Sequence, residues 1–497
     1  MAREVLLGLD VGTSGVKAIL MSASGDVVAT VSTPLSLVTP RPGWAEQDPD
    51  AWWSACLTSI RGVLQRGADA HVIAIGISGQ MHSSVFLDAG GAVIRPALLW
   101  CDGRTTQETR EITDSAGGEQ RLREWVSNPA LEGFTLPKVL WLRSHEPAAF
   151  ARLAKVLLAK DYIRYRLTNE LATDPSDASG TLMYDPAQRR WSREIMEAVS
   201  LPLSLLPNVG ASHEVLGRVT VDAAHATGLG AGTPVVGGGA DNACGAVGVG
   251  AISPGEAVAS WGTSATLLAP TAEPRVDPGM RVHTFCHAVA GLWYVMGVVL
   301  SAGGAFSWYR AQFAPELAES DGANERLTEE AARVPRGADG VTFLPYLQGE
   351  RTPHRDASAR SAFIGLSLAH TRAHLTRAVL EGVCFALRDS LAILQELGLN
   401  PRDLLLTGGG ARSPFVRQMQ SEVCGLPVRT VNREEGPAYG AALLAAVGAG
   451  VFRDLNEATR TTLVRGALET PDAAAHVEYE PAYARFRAAY RAARPLA

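Results

Sequence analysis

Lysine is almost missing from this chain: it supplies four of the 45 basic residues, and arginine the rest. Alanine is abundant beside it, which points to a GC-rich coding sequence, so the arginines alone say nothing about anionic ligands. The six cysteines, Cys56, Cys101, Cys244, Cys286, Cys384 and Cys424, contain no Cys-x-x-Cys pair and no zinc-like spacing. Adjacent Cys286-His287 is poor geometry for two ligands on one strand and reads as a packed pair. Scattered thiols of this kind fit a reducing compartment. There is no Gly-x-x-x-x-Gly-Lys-Ser/Thr, which excludes a Walker-type phosphate loop. The longest apolar stretch, Ala438 to Phe452, is short and broken by glycines, so it reads as a buried helix and not a membrane span. A net charge of −6 leaves no general basic face for nucleic acid. The first strand-like run begins within four residues of Met1, with no signal-peptide design, and a cytoplasmic location is expected.

With 46% hydrophobic and 19% charged residues, the 497-residue chain is globular and long enough for two to four domains. Its most informative feature is a repeat. Gly12-Thr13-Ser14 sits between the runs Val5–Val11 and Val16–Met21, and Gly262-Thr263-Ser264 sits between Glu256–Trp261 and Ala265–Leu268. One such tripeptide is an ordinary turn. Two, half a chain apart and each inside a hairpin pattern, suggest paired phosphate cradles in which turn N–H groups and hydroxyls face an oxyanion. Asp10, at the end of the first run, adds a carboxylate where a magnesium ion would need one.

Around these turns the chain reads as alternating strands and helices. In the first half, Val27–Ser32 completes a meander, Asp50–Leu64 is a helix, and His71–Ser78 is a buried strand. Ser83–Asp88 and Ala92–Leu99 suggest a hairpin, and Lys138–Arg143 and Ala149–Leu167 suggest helices. The second half restarts with the hairpin at Glu256–Leu268. A hairpin at His283–Val299, a long helix at Thr371–Leu397, the strand Asp403–Thr407 with Gly408–Gly410, and a helix at Tyr439–Ala449 follow. Tyr483, Phe486 and Tyr490 form one stripe of a terminal helix. The pattern predicts a duplicated α/β architecture with a boundary near residues 245–255 and no low-complexity linker, hence closely hinged halves. Asp241-Asn242 follows a strand and the turn Gly237–Ala240. There a carboxylate faces a cleft and could take a proton from an attacking hydroxyl, or it could serve as an Asx-turn or helix N-cap residue.

Taken together, an ordered set of motifs resembles the FGGY carbohydrate kinase family, in its bacterial xylulokinase branch, nearly end to end. The set comprises Gly8-Leu-Asp10-Val-Gly-Thr-Ser-Gly-Val-Lys17, Pro42-Gly-Trp-Ala-Glu-Gln-Asp-Pro49, Gly79-Gln-Met-His82, Leu99-Trp-Cys-Asp-Gly-Arg104, Gly133-Phe-Thr-Leu-Pro-Lys138, Gly238-Gly-Ala-Asp-Asn-Ala243, Ser260-Trp-Gly-Thr-Ser264, Phe343-Leu-Pro-Tyr-Leu-Gln-Gly-Glu-Arg-Thr-Pro-His354 and Leu406-Thr-Gly-Gly-Gly-Ala-Arg-Ser413. The resemblance implies a duplicated ribonuclease H-like, actin-like ATPase fold with a central cleft, divided into 1–247, carrying the sugar site and first phosphate hairpin, and 248–497, carrying the nucleotide site. It implies ATP-dependent phosphorylation of D-xylulose, with Mg²⁺, and leaves a homodimer open. By motif, Asp241 is the proton acceptor, and Asp10 is the carboxylate near magnesium and the transferring phosphate. Met81, His82, Asp241 and Asn242 contact the sugar. Thr13, Ser14 and Thr263 meet phosphates, while Gly303, Gly409, Gly410 and Ser413 frame the nucleotide. Asp102 and Arg104 read as an internal ion pair or ligands, and Asn128 has no assigned contact. Two other readings remain: a kinase for a different ketose or polyol, and an actin- or Hsp70-like nucleotide switch, against which the Gly-Gln-Met-His and Gly-Ala-Asp-Asn motifs count.

Overall fold

The computed structural model describes residues 3–317, 320 and 322–494. It contains two seven-stranded mixed sheets built to one plan. In the first, β1 (Arg3–Val11), β2 (Gly15–Ser22) and β3 (Val27–Pro34) form an antiparallel meander. Helix α1 (Pro49–Arg66) then crosses over to β4 (Ala70–Gly79), which pairs parallel to β1. Helices α2 (Thr135–His145) and α3 (Ala159–Thr168) lie in the long excursion that follows. Strand β5 (Val215–Arg218) and β6 (Pro234–Val236) complete that edge, β6 parallel to β4. The two-residue strand Gly239–Ala240 runs beside the end of β4 and leads into helix α4 (Asp241–Val249).

The second sheet repeats the arrangement. Strands β7 (Ala257–Trp261) and β8 (Ala265–Thr271) form the Gly-Thr-Ser hairpin, with β9 (His283–Cys286) and β10 (Trp293–Val299) extending it antiparallel. Helices α5 (Gly303–Phe313) and α6 (Arg372–Glu396) precede β11 (Leu404–Gly408), which is parallel to β7. Helix α7 (Pro414–Cys424) leads to β12 (Val428–Val431), parallel to β11. A meander of three followed by two parallel strands, in both sheets, is the duplication expected from the repeated hairpin. In each sheet the turns at the carboxyl ends of the parallel strands face one cleft, where α/β sheets bind ligands.

The first sheet is covered on both faces, which is why β1 reads as a near-continuous apolar run and not an alternating one. Leu7 and Leu9 pack with Trp52, Cys56 and Ile60 of α1, whose start is set by Pro49 and an Asp48 cap that accepts from Asp50 N at 2.9 Å. Leu6 faces the other way, toward α8 (Pro437–Gly448), a helix from the second half of the chain. That helix lies so close that a Cβ on Gly8 would stand 2.1 Å from the Ala438 carbonyl oxygen, and one on Gly76 1.9 Å from that of Ala441. Gly440 meets α4 in the same manner, at 1.8 Å from the Cys244 oxygen. A cut at 247/248 therefore leaves a second-half helix seated on the first-half sheet. The chain passes between the two sheets at 250–256, again at 432–436, and once more after α9 (Leu455–Thr462) to reach the edge strand β13 (Arg465–Glu469). The terminal helix α10 (Ala473–Ala493) buries Tyr483 and Phe486 against the second core, and the Tyr483 hydroxyl donates to Asp389 at 2.6 Å.

One expectation fails, and a neighbouring one holds only in part. The run 149–167 is not one helix: a short turn at Pro147–Phe150 gives way to the strand Lys155–Leu157 before α3. That strand pairs with Val85–Leu87, while the hairpin expected between 83–88 and 92–99 is present in loose form, through antiparallel bridges at Ser84–Leu98 and Leu87–Val93 and a hydrogen bond from Ile94 N to Phe86 O (2.9 Å). The segment has no Gly or Pro between 149 and 167 to signal the break; the partner that makes Lys155–Leu157 extended lies about seventy residues earlier, beyond the reach of helical periodicity.

Candidate active site

A cavity of about 720 Å³ runs between the two sheets, within the range of small-molecule sites. Met81, His82, Trp100, Asp241 and Asn242 line it from the first half, and Gly262, Ser264, Thr266, Gly408, Gly409 and Thr430 from the second.

Asp241 is the first residue of α4 and does not cap it: its Oδ1 accepts from the backbone N–H (2.7 Å) and the side-chain amide (2.9 Å) of Asn242. Burial pushes its pKa from 3.8 up to about 7, and the charge of Asp10 adds to the rise, while the two Asn242 donors oppose it. Asp10 ends β1, where it pairs across the hairpin with Lys17 and in parallel register with Ser78 of β4. Its pKa rises to about 6, again through burial, with Lys17 and the Ser78 hydroxyl pulling it down. Burial therefore does most to hold the proton on Asp241, and the charge of Asp10 reinforces it. Asp10 Oδ1 is buried without a hydrogen-bond partner, so this oxygen is free for a ligand. Among the described residues no cluster of three or more His, Cys, Asp or Glu is arranged to hold a metal by itself. A hydrated Mg²⁺ that takes one or two carboxylates and completes its shell with phosphate and water fits what is present.

The two tripeptide turns differ in what they leave free. Thr13 Oγ1 donates to Gln80 Oε1 (3.1 Å) and accepts from Trp100 Nε1 (3.0 Å), and the Thr13 carbonyl accepts from Gln47 (2.7 Å). Its hydroxyl is thus engaged within the fold, contrary to the reading of two free hydroxyls. Ser14 is exposed. Among the described residues, the N–H groups of Thr13, Ser14, Thr263 and Ser264 donate no hydrogen bond, so both turns keep the donors a phosphate cradle needs. The second turn is fixed from behind by the start of α5. Gly303 N donates to the Gly262 carbonyl, and Ala302 and Gly304 N to that of Thr263, all at 2.9 Å. A Cβ on Gly303 would stand 2.6 Å from the Gly262 oxygen, so a glycine is required there for contact with the turn. Gly409 lines the cavity, and Gly410 lies on the face of Trp261, whose ring a Cβ would meet at 2.5 Å. Ser413 caps α7, accepting from Val416 N at 3.4 Å.

His82 sits at φ 67, in the left-handed region, with its carbonyl held by the Thr135 hydroxyl at 3.0 Å and the Lys138 ammonium at 3.5 Å. Its Nδ1 lies 2.5 Å from the Gly180 carbonyl, an acceptor, so Nδ1 carries the proton and Nε2 is an acceptor only. Burial lowers its pKa to about 3, which keeps the ring neutral. The one N–H of this imidazole is already used, so a sugar contact at His82 would be through Nε2 as acceptor. Met81 Sδ accepts from Asn242 Nδ2 at 3.7 Å, and Asn242 Oδ1 accepts from Thr266 at 3.2 Å, joining α4 to the second hairpin.

Asp102 and Arg104 form an internal ion pair at 2.7 Å, with the guanidinium stacked on Trp44 at 3.6 Å and paired with Glu46. Asn128 clasps the second half: its amide donates to the Thr284 carbonyl (2.8 Å) and accepts from Thr284 N (3.2 Å). Lys17, Trp100 and Arg351 line the cavity without having been singled out from sequence, although all three lie inside the quoted motifs. Lys17 carried a readable signal, because the hairpin places it opposite Asp10.

Models of the N-terminal and C-terminal domains of the FGGY family of carbohydrate kinases match residues 5–248 and 257–449. The chain is 40% identical to the xylulose kinase of Escherichia coli over 494 residues, 99% of each protein. Among solved structures, a xyloylose kinase from Brucella ovis superposes with a TM-score of 0.91 at 37% identity, covering 99% of this chain and 100% of that one. Xylulose kinase from Rhodospirillum rubrum gives 0.90 at 34% identity, with 99% of both chains covered. No helix among the described residues is long and apolar enough to cross a membrane.

Proposed function

The chain belongs to the FGGY family of carbohydrate kinases, and from that premise we propose that it transfers the γ-phosphoryl group of ATP to the 5-hydroxyl of D-xylulose. The observation that carries this reading is the Asp10–Asp241 pair at the junction of the two halves, with Asp241 raised to about 7. A carboxylate with that affinity for a proton is ionised in part near neutrality, and it gains the proton readily as a hydroxyl oxygen forms its bond to phosphorus. Helix α4 presents it at the cavity, and Asn242 orients it through two hydrogen bonds.

Met81, His82 and Asn242 are the proposed sugar contacts beside Asp241. Lys17 lies where it would offset charge on the transferring group. The N–H groups of Thr13, Ser14 and Thr263 would receive phosphate oxygens, and Gly409 would let the nucleoside approach bare backbone. Gly303, Gly410 and Ser413 would act one step removed, by packing or capping the segments that face the nucleotide. Mg²⁺, when bound with ATP, would supply charge neutralisation on the phosphates. Asp10, through its unpartnered Oδ1, is the residue placed to hold it. The six cysteines are free, five of them buried, which supports a reducing, cytoplasmic setting.

The test is ADP release by the purified protein across ketoses, pentitols, glycerol and aldonates. D-Xylulose giving the highest kcat/KM supports the reading. Release that no sugar stimulates would refute it in favour of a nucleotide switch.

A further inference from the structure

Arg351 comes from the second half, in the loop after Phe343-Leu344, yet it lines the cavity beside Met81, His82 and Trp100 of the first half. The loop is pinned against β10. Glu350 Oε1 accepts from Leu300 N (3.0 Å) and Arg351 N (2.8 Å), and Thr352 exchanges hydrogen bonds with Val298 N and Val298 O, both at 3.0 Å. The guanidinium is therefore delivered on a fixed backbone. Among the described residues it makes neither an ion pair nor a side-chain hydrogen bond. Glu132 and Glu350 lie near enough for their charge to be felt by the guanidinium, but neither hydrogen-bonds it, and the Glu350 pKa is raised to about 8 mainly by burial. The charge of Arg351 is felt at His82, Lys138 and His283, whereas Asp241 feels Asp10. A Cβ on Gly133 would stand 3.2 Å from Arg351 Nη2, and Lys138 donates to the carbonyls of both Gly133 and His82, which sets Arg351 toward the His82 end of the cavity.

A donor-only guanidinium and an acceptor-only Nε2 thus line the same cavity. Resting on the ketose-kinase reading above, we infer that Arg351 is a specificity-determining substrate contact that, with His82, reads the 1-hydroxy-2-oxo end of the ketose. The carbonyl oxygen, which has no proton, accepts from Arg351, and the neighbouring hydroxyl donates to His82 Nε2. The ketose pocket is then complete only when both halves contribute to it.

Arg351→Met removes the donors and keeps the aliphatic stem. It is expected to raise the KM for D-xylulose about 10- to 100-fold, the range for a lost hydrogen bond to a charged group, and to leave the KM for ATP and the unfolding temperature unchanged. Arg351→Lys, with a point charge and no fork, recovers part of the loss, and carries the test if the methionine variant does not fold. A second readout uses charge. A five-carbon aldonate places a carboxylate at the end remote from the 5-hydroxyl, so it should compete with D-xylulose in the unmodified protein and at least about tenfold more weakly in Arg351→Met. An unchanged ketose KM, or equal aldonate inhibition in both proteins, overturns the inference. If the unmodified protein phosphorylates no ketose, the proposed function falls instead. Calorimetric binding of the aldonate then still decides on Arg351: loss of binding in the variant supports the contact, and retention rejects it.

Discussion

Replacing Asp241 with Asn should make the protein more stable and nearly inactive, and the stability gain should depend on pH. Folding raises the Asp241 pKa from 3.8 to about 7. Between those values the unfolded chain has released this proton and the folded chain still holds it. The unfolded state binds fewer protons there, so stability falls as pH rises through the window and levels off above about 7. The rise from 3.8 to about 7 sets a ceiling of about 4 kcal/mol. Asp241 is only partly buried and shares its field with Asp10, and solvent screening reduces the expected gain to about 2 kcal/mol. Asparagine keeps the shape and lifts this penalty, as replacements at strained active sites commonly do. In a lobe of roughly 250 residues such a change moves the unfolding temperature by about 4–8 °C. The assay is differential scanning calorimetry of both proteins at pH 8 and pH 4, with turnover measured alongside. The variant should melt higher at pH 8, match the parent at pH 4, bind ATP, and turn over about 10²- to 10⁴-fold more slowly. Equal melting at pH 8, or a gain of the same size at pH 4, would refute the charge argument. Near-normal turnover would refute the proton acceptor.

Asp10→Ala should reduce turnover and shift the Mg²⁺ dependence to higher concentration while leaving ketose binding, measured by calorimetry, intact; an unchanged rate and magnesium curve would reject the role. Gly76→Ala puts a methyl 1.9 Å from a backbone oxygen of α8, so it should lower the unfolding temperature by about 8 °C or more, as an overpacked core does; a normal melting curve would show that α8 is not held against β4 in solution. Closure around both substrates should bend the chain at the three inter-sheet passages, 250–256, 432–436 and the one after α9, with the Asn128–Thr284 clasp near the axis. Small-angle scattering should show a smaller radius of gyration with D-xylulose and a non-hydrolysable ATP analogue; no change at verified saturation would indicate a preformed closed site.

The hairpins, the duplication and the residues Asp10 and Asp241 were legible from sequence because each is a local pattern. An apolar run, a Gly-Thr-Ser turn and a second run specify a hairpin whatever surrounds it, and that hairpin brings Lys17 opposite Asp10. Glycine-rich turns at strand ends mark a cleft for the same local reason. The tertiary structure decided everything that depends on charge and burial between distant residues. Asp241 rises to about 7 because folding buries it, and because Asp10, 231 residues earlier, adds its charge there. His82 becomes an acceptor because the Gly180 carbonyl takes its one proton. The Thr13 hydroxyl is withdrawn from the ligand by Gln80 and Trp100. Lys155–Leu157 is a strand because Val85–Leu87 is beside it, and Gly8 and Gly76 are explained only once α8 lies across them. Sequence periodicity reports which face of an element is apolar. Which groups share a dielectric, a proton or a van der Waals boundary is fixed by the packing of the two halves.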